Sequence, residues 1–571
     1  MKRTGVWQSD LSLPEYERNI AVMVRDNTAR FGDRILYQEI RNGNELKLSW
    51  KQLTSDILSI QNFLLDHGFR PGDRMAVLSR NRMEMLEMEL AVMSMGAVFV
   101  PIFAGFPAQI ADSLVAFCEP SFVVVADQGQ YDRLSSPQTY RGIIHFDSVE
   151  QSHANLYSFR DMIGYQKAED FAGYDVPRDS VCLMMYTSGT MGKPKCVQLT
   201  HGNILSQQAA LRLLWNLSEN DRFLSYLPWH HSFGGIFEKY AAITNGALLS
   251  LEHGFGKNTD LLIENWKRVR PSVFFSVPKI YQEIVTRVLQ SKDVEEIIFH
   301  DGLRFIFTAA APLPKNISDV FQSRNVPIME GWGLTETSPC CTITDPKVPR
   351  EPGVVGFPIP GVQIRIADDG EIMIRGANVM KGYFKNPEVT RQVLSDDGWF
   401  ATGDVGKFTD IGLRLISRKD RIFKLTNAEK VIPTEIENLI TKDCAFLAHA
   451  YVTGSGRDHP VALLFPNKTM FSNIPDKSLL KGSCECPRNL DDLSSCLNRC
   501  LRILNDSMTV KFYRLNAAML VDYELSIENE ELTPSMKLAP NIVGKVFKAD
   551  IEALYDGKKV YSDKVYVINL E

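Results

Sequence analysis

No stretch of this chain is both apolar enough and long enough to cross a bilayer. Its most apolar long segment, Leu90 to Phe103, is shorter than the ~20 residues a membrane helix needs, and at Gly96 it changes from a helical pattern to the β-rich AVFVPIF. A buried helix followed by a strand is expected there. The N-terminus, MKRTGVWQSD, has two basic residues but lacks the apolar run and small-residue cleavage site of a secretory signal. The expectation is a cytoplasmic protein with no transmembrane segment, peripheral contact with a membrane being left open. An excess of one charge is missing too: 63 Lys plus Arg against 69 Asp plus Glu leave a net charge of -6. That gives no electrostatic footprint for nucleic acid, so a nucleotide is expected only as a small substrate. Internal repeats and extended low-complexity tracts are absent, and MFSNIPDKSLLKGSCECP is the expected surface insertion.

Metal-type cysteine spacing is likewise lacking. Of ten cysteines only Cys484, Cys486, Cys496 and Cys500 cluster, without Cys-x-x-Cys pairs and without a nearby histidine. A zinc site is one reading. Leu493, Cys496, Leu497, Cys500, Leu501 and Leu504 instead form an apolar stripe at helical spacing, which favours ordinary buried thiols.

What is present is length and alternation. At 571 residues the chain exceeds one ordinary core, so two or more domains are expected. Helical patterns such as WKQLTSDILSIQNFLLDHG alternate with β-branched runs such as RMAVLS and SFVVVAD, the texture of an α/β protein with a largely parallel sheet. NILSQQAALRLL continues it as a helix, and RFLSYLP, ALLSLEH and SVFFSVP as strands. Beyond Pro346, glycine-rich segments such as GVQIRIADDGEIMIRG predict a small β-rich unit, and a third texture begins at SRKDR. The expected organisation is a large N-terminal domain over 1–417 of mainly parallel sheets flanked by helices, with a β-rich subdomain at about 346–417. A hinge over 418–421 and a smaller, mobile α+β domain over 422–571 complete it.

The first chemical motif follows a buried strand, in LMMYTSGTMGKPKCVQLTHGN. Gly189 and Gly192 let backbone amides turn toward an anion, while Thr187, Ser188 and Thr190 supply hydroxyls and Lys193 and Lys195 supply charge. Such a loop can hold a polyphosphate, although no Gly-Lys-Ser/Thr closes it as in a Walker sequence. A flexible surface turn is the alternative. The second, MEGWGLTETSP, offers an aromatic ring for a purine in Trp332 and a carboxylate beside a hydroxyl, Glu336 and Thr335, for an oxygen-seeking Mg²⁺. LPWHHSFGG contributes His230 and His231, for which a metal would need further ligands that the sequence does not place.

From about Asn27 to Tyr555 the chain resembles the adenylate-forming superfamily of acyl-CoA synthetases, peptide-synthetase adenylation domains and luciferases, and looks closest to long-chain fatty acid-CoA ligases. The resemblance implies ATP-dependent activation of a carboxylic acid to acyl-AMP, then transfer to a thiol, either coenzyme A or the phosphopantetheine of an acyl carrier protein. A medium- to long-chain fatty acid is the acid implied. A non-catalytic protein that keeps the fold is the other alternative.

By the same resemblance, ATP or AMP meets Thr187, Ser188, Gly189, Thr190, Gly192, Lys193, Lys195, Ala310, Ala311, Pro312, Trp332, Gly333, Thr335, Asp404 and Arg418. The acid meets His231, Phe233, Gly234, Ala309 and Gly331, with His231 rather than His230 matching the family histidine. Mg²⁺ falls to Thr187 and Glu336. Asp404, in DDGWFATGDVG, would accept hydrogen bonds from both ribose hydroxyls, a β-turn aspartate being its plain reading. Lys537 of ELTPSMKL would be the catalytic lysine, acting with Lys195, Thr187 and Glu336 against the charge that builds at phosphorus. Asp420 would be the hinge. Departures are Cys196 and Ala428, which stand where the family usually has glycine, and Ala539 and Pro540, where basic residues often follow the lysine.

Overall fold

The computed structural model describes residues 2–3, 5–165, 175–187, 195–309, 313–351, 353–441, 444, 446–472, 487–526, 529–532, 538–556 and 565–570. Its helices start where short polar side chains can accept orphan amides. Ser49 Oγ accepts from Gln52 N ahead of Trp50–Asp66, which buries Leu53, Ile57, Ile60 and Leu64 at three- and four-residue spacing. Thr200 and Asn203 form a reciprocal capping box at the start of His201–Trp215, and Asn216 closes that helix in the left-handed region.

Two large sheets form the N-terminal part. One orders Gly382–Tyr383, Lys195–Thr200, Val181–Thr187, Val98–Ile102, Arg74–Leu78, Phe122–Val125, Gly142–His145 and Leu156–Ser158, and the last six of these run parallel. The other has nine strands, with a parallel middle ordered Ile328–Trp332, Phe305–Thr308, Val273–Ser276, Arg222–Ser225, Leu248–Leu251 and Ile35–Arg41. Fully buried runs such as Phe122–Val125 suit such strands, because helices cover both faces. The α/β class with mainly parallel sheets stands as the sequence pattern implies.

A third sheet is antiparallel throughout and orders Lys2–Arg3, Val6–Gln8, Val362–Ile366, Glu371–Gly376, Phe400–Thr409 and Gly412–Arg418. The β-rich stretch at 346–417 is therefore not self-contained. It recruits the N-terminus, where Trp7 stacks on Phe408 at 4.0 Å, and it lends Phe357–Pro358 and Gly382–Tyr383 to the two large sheets. Pairing of this kind joins segments more than 350 residues apart, and local periodicity carries no trace of it.

Beyond Arg418 a four-stranded sheet, Leu447–Thr453, Val461–Pro466, Ala517–Val521 and Val565–Asn569, is packed by helices that include Pro433–Thr441 and Leu490–Ser507. In the latter helix Leu493, Cys496, Leu497 and Leu501 are buried. Cys500 corrects the expectation: it is exposed, with its Sγ 3.9 Å from that of Cys496, because it falls at the edge of the apolar stripe. Cys484 and Cys486 lie outside the described residues. Among those described, no three potential metal ligands gather, and no helix is long and apolar enough to cross a membrane.

Ala428 closes the hairpin between Phe423–Lys424 and Lys430–Val431 with φ +64°. A Cβ makes this region unfavourable by about 1 kcal/mol or more. Ala428→Gly is expected to stabilise the C-terminal unit by up to about 1 kcal/mol, read as a raised denaturation midpoint; an unmoved or lowered midpoint would show that the hairpin carries no such strain.

Two histidines make stability pH-dependent. Burial pushes His201 down to about 4, with Nδ1 accepting the Ile20 amide at 3.3 Å, and burial together with neighbouring His231 pushes His230 down to about 3. Both fold neutral, while the unfolded chain protonates them below about 6.5. The stability they contribute is complete above that value and is lost as pH falls toward 4, by at most about 3 kcal/mol for His201. Melting curves should show a shallower fall from pH 6.5 to 4 in His201→Gln than in the wild type, and parallel curves would refute the assignment.

Candidate functional site

Several of the described candidate residues lie at the carboxyl ends of parallel strands, the end at which open α/β sheets bind ligands. Val181–Thr187 ends on Thr187, Phe305–Thr308 leads into Ala309, Ile328–Trp332 ends on Trp332, and Arg222–Ser225 leads into the histidine turn. Thr187 and Lys195 face each other as register partners across an antiparallel pair of strands. Ser188, Gly189, Thr190, Gly192 and Lys193 lie outside the described residues, as do Ala310, Ala311, Pro312 and Lys537.

Trp332, Asp404 and Arg418 form one group. Asp404 and Arg418 pair across neighbouring strands, and Arg418 Nη1 donates to Asp404 Oδ1 at 2.9 Å. Trp332, only 9% exposed, donates its indole Nε1–H to Asp404 Oδ2, also at 2.9 Å. Burial alone would lower the Arg418 pKa, but the Asp404 carboxylate outweighs it and raises the value; Glu336 adds to the same effect. Each Asp404 oxygen keeps a second lone pair for a further donor.

Glu336, Tyr383 and Lys195 form a second group. Glu336 is 8% exposed and its Oε1 accepts the Tyr383 hydroxyl at 2.8 Å. Lys195 Nζ stands 5.1 Å from the centre of the Tyr383 ring. Burial, then the Glu336 carboxylate, raises the Tyr383 pKa far above the phenol range, so the hydroxyl stays a donor. The turn Thr335–Thr337 that carries Glu336 is stitched in place by Met380 N, which donates to the Glu336 carbonyl at 2.8 Å, and by Asn378 Nδ2, which donates to that of Thr337 at 2.9 Å. Gly331 and Gly333 are set by close approach: a Cβ would lie 2.5 Å from Phe307 Cζ in the first case and 1.8 Å from the Pro339 carbonyl oxygen in the second.

The acid-side residues adjoin this turn, because Ser232 Oγ and Thr335 Oγ1 are 3.1 Å apart. His231 precedes a π-helical turn over Phe233–Glu238, and its Nδ1 accepts from Phe233 N at 3.3 Å. Gly234, in that turn, packs on the Leu227 and Pro228 carbonyls. Phe233 joins an aromatic wall, 5.8 Å from Phe307, which is 4.9 Å from Phe237. His230 instead lies against the Phe103 ring at 4.5 Å. Cys196 is buried with its thiol 3.8 Å from Met184 Sδ. Asp420 sits in the single turn Lys419–Arg421, between Arg418, bound to Asp404, and Arg421, bound to Glu437 of helix Pro433–Thr441.

Tyr383 and Ser232 are the residues that the motif reading passes over. Tyr383 stands inside RGANVMKGYFKNPEVT, yet a lone tyrosine after a glycine carries no chemical pattern. Only its pairing opposite Val197 brings it to Lys195 and Glu336.

Magnesium can be tested against these donors. Glu336 offers a carboxylate whose Oε2 has no hydrogen-bond partner among the described residues, and Thr187 offers a hydroxyl at a strand end, an oxygen set of the kind the ion prefers.

The chain is similar to known proteins along nearly its whole length. The family model described as AMP-binding enzyme matches residues 24–384, and the one described as AMP-binding enzyme C-terminal domain matches 420–559. Long-chain-fatty-acid–CoA ligase 1 of Cavia porcellus is 27% identical over 90% of this chain and 83% of its own length. Long chain acyl-CoA synthetase 3 of Arabidopsis thaliana is 26% identical over 91% and 89%. Among solved structures, ATP-bound MatB from Rhodopseudomonas palustris superposes with a TM-score of 0.74 at 22% identity, covering 93% of this chain and 99% of that one.

Proposed function

Since the chain belongs to the AMP-binding enzyme family, within the adenylate-forming superfamily and close to the acyl-CoA synthetases, we propose that it activates a medium- to long-chain fatty acid with ATP and passes the acyl group to coenzyme A. The observation that carries this reading is the convergence of Trp332, Asp404 and Arg418 with Glu336, Tyr383 and Lys195 beside the aromatic wall of Phe233 and Phe307. One group suits a nucleoside, the other a polyphosphate, and the wall an apolar tail.

In the first half-reaction a carboxylate oxygen attacks the α-phosphorus of ATP, the bond to the bridging oxygen breaks, and acyl-AMP and pyrophosphate form. Trp332 and Asp404 hold the purine and the ribose, while Lys195, Thr187 and Lys537 face the charge that builds on the phosphates. Glu336 and Thr187 would hold Mg²⁺, which would supply further neutralisation of the phosphate charge. In the second, the C-terminal unit turns about Asp420, Lys537 withdraws, and the thiol attacks the acyl carbonyl with AMP as the leaving group and loss of the thiol proton. His231, Phe233, Gly234, Ala309 and Gly331 line the acid. The names of the relatives support the choice of acid and acceptor.

The test is acid-dependent exchange of labelled pyrophosphate into ATP across short, medium, long and aromatic acids, followed by thioester assays with coenzyme A and with a panel of carrier proteins. Exchange with fatty acids and a CoA thioester are the expected results. No exchange with any acid would overturn the enzyme reading, and transfer to a carrier without a CoA thioester would overturn the choice of acceptor.

A further inference from the structure

We propose that Tyr383 is a positioning residue that sets both charged groups of the phosphate site at once, aiming Glu336 with its hydroxyl and Lys195 with its ring. The proposal rests on the adenylation reading for the identity of the ligand. Its geometric basis is independent of that reading.

The strand Gly382–Tyr383 runs antiparallel to Lys195–Thr200, with Tyr383 opposite Val197. Residues two apart on a strand share a face, so Lys195 is the diagonal neighbour of Tyr383, within reach of an aromatic ring. The ammonium lies 5.1 Å from the ring centre accordingly. On its far end the same ring carries the hydroxyl that donates to Glu336 Oε1 at 2.8 Å. Tyr383 is 5% exposed, and its backbone is tied by Thr390 Oγ1, which accepts Tyr383 N at 3.0 Å. A fixed ring therefore touches both a cation, at its face, and an anion, through its hydroxyl. With Oε1 occupied, Glu336 turns Oε2 toward further ligands, and Lys195 keeps its charge off the carboxylate and available to an anion.

The decisive comparison is Tyr383→Phe, which removes one oxygen and keeps the ring. Binding of Mg·ATP and of AMP to the full-length protein is measured by calorimetry without acid, so that turnover plays no part. Tyr383→Phe is expected to weaken Mg·ATP about 5- to 10-fold and to leave AMP within about twofold, because AMP lacks the β- and γ-phosphates. Glu336→Gln is expected to give a similar split, and the double variant to lose little more than either single one, as partners in one interaction do. Tyr383→Leu, which also removes the ring beneath Lys195, is expected to weaken Mg·ATP further.

Unchanged binding of both ligands by Tyr383→Phe would overturn the proposal. Equal weakening of both would overturn it too, by showing a purely structural role, and so would additive losses in the double variant. Wild-type protein that binds Mg·ATP yet shows no acid-dependent exchange would instead overturn the adenylation reading, while the binding comparison still decides the role of Tyr383.

Discussion

Lys537→Ala is expected to lower acid-dependent pyrophosphate exchange by about 10²- to 10³-fold or more while ATP still binds. Of the cations described at the site, Arg418 is paired with Asp404, which leaves Lys195, over the Tyr383 ring, to face the phosphates. An attacking carboxylate brings a further negative charge to a centre already crowded with phosphate oxygens. A lysine that, as proposed, meets the phosphates only in this step would favour the transition state over bound ATP, which is how a side chain acts on rate rather than on affinity. The same variant, given preformed acyl-AMP and coenzyme A, is expected to form thioester at close to the wild-type rate, since the proposed cycle assigns Lys537 no part in that half-reaction. Unchanged exchange would refute the lysine assignment, and equal loss in both half-reactions would refute the division of labour.

Asp404→Ala is expected to weaken both ATP and AMP by about 10²-fold or more, the size of two lost hydrogen bonds to a carboxylate. The carboxylate has a double task. It accepts from Trp332 Nε1 and Arg418 Nη1, and through its remaining lone pairs it would accept from the ribose hydroxyls. Its removal leaves the indole N–H and the guanidinium without their acceptor, so a loss of stability of about 1–3 kcal/mol is expected as well. A ligand without ribose hydroxyls separates the two effects. Binding of 2′,3′-dideoxy-AMP is expected to be weak in the wild type and little changed by Asp404→Ala. If the variant weakens AMP and the dideoxy compound equally, the ribose assignment fails and Asp404 is only the anchor of Trp332 and Arg418.

The legible part of this protein was what chemistry writes locally. Glycines, hydroxyls and lysines after a strand suggest a phosphate loop by their own chemistry, and the motifs that follow favour that reading over a surface turn. Buried β-branched runs such as Phe122–Val125 state their own parallel sheet, because a strand covered on both faces cannot alternate. The apolar spacing of NILSQQAALRLL marks its own helix, which runs over His201–Trp215. The family motifs are of this kind as well, being short and ordered along the chain.

Other features depended on which distant segments meet. The addition of Val6–Gln8 to the antiparallel sheet, the exposure of Cys500 at the edge of its stripe and the left-handed conformation of Ala428 follow from packing and closure, not from spacing. Trp332 reads in sequence as a face for a purine. Only the fold shows that its indole N–H also holds Asp404, 72 residues away. Tyr383 is the clearest case, for the stretch RGANVMKGYFKNPEVT around it matches the family but says nothing of what the phenol meets. The sequence by itself determined the α/β architecture, the family and the kinds of charge the site contains, because these rest on local pattern. The tertiary structure alone decided which neighbours those charges meet, because a hydroxyl meets a carboxylate, and a ring meets an ammonium, only when strands remote in sequence are laid side by side.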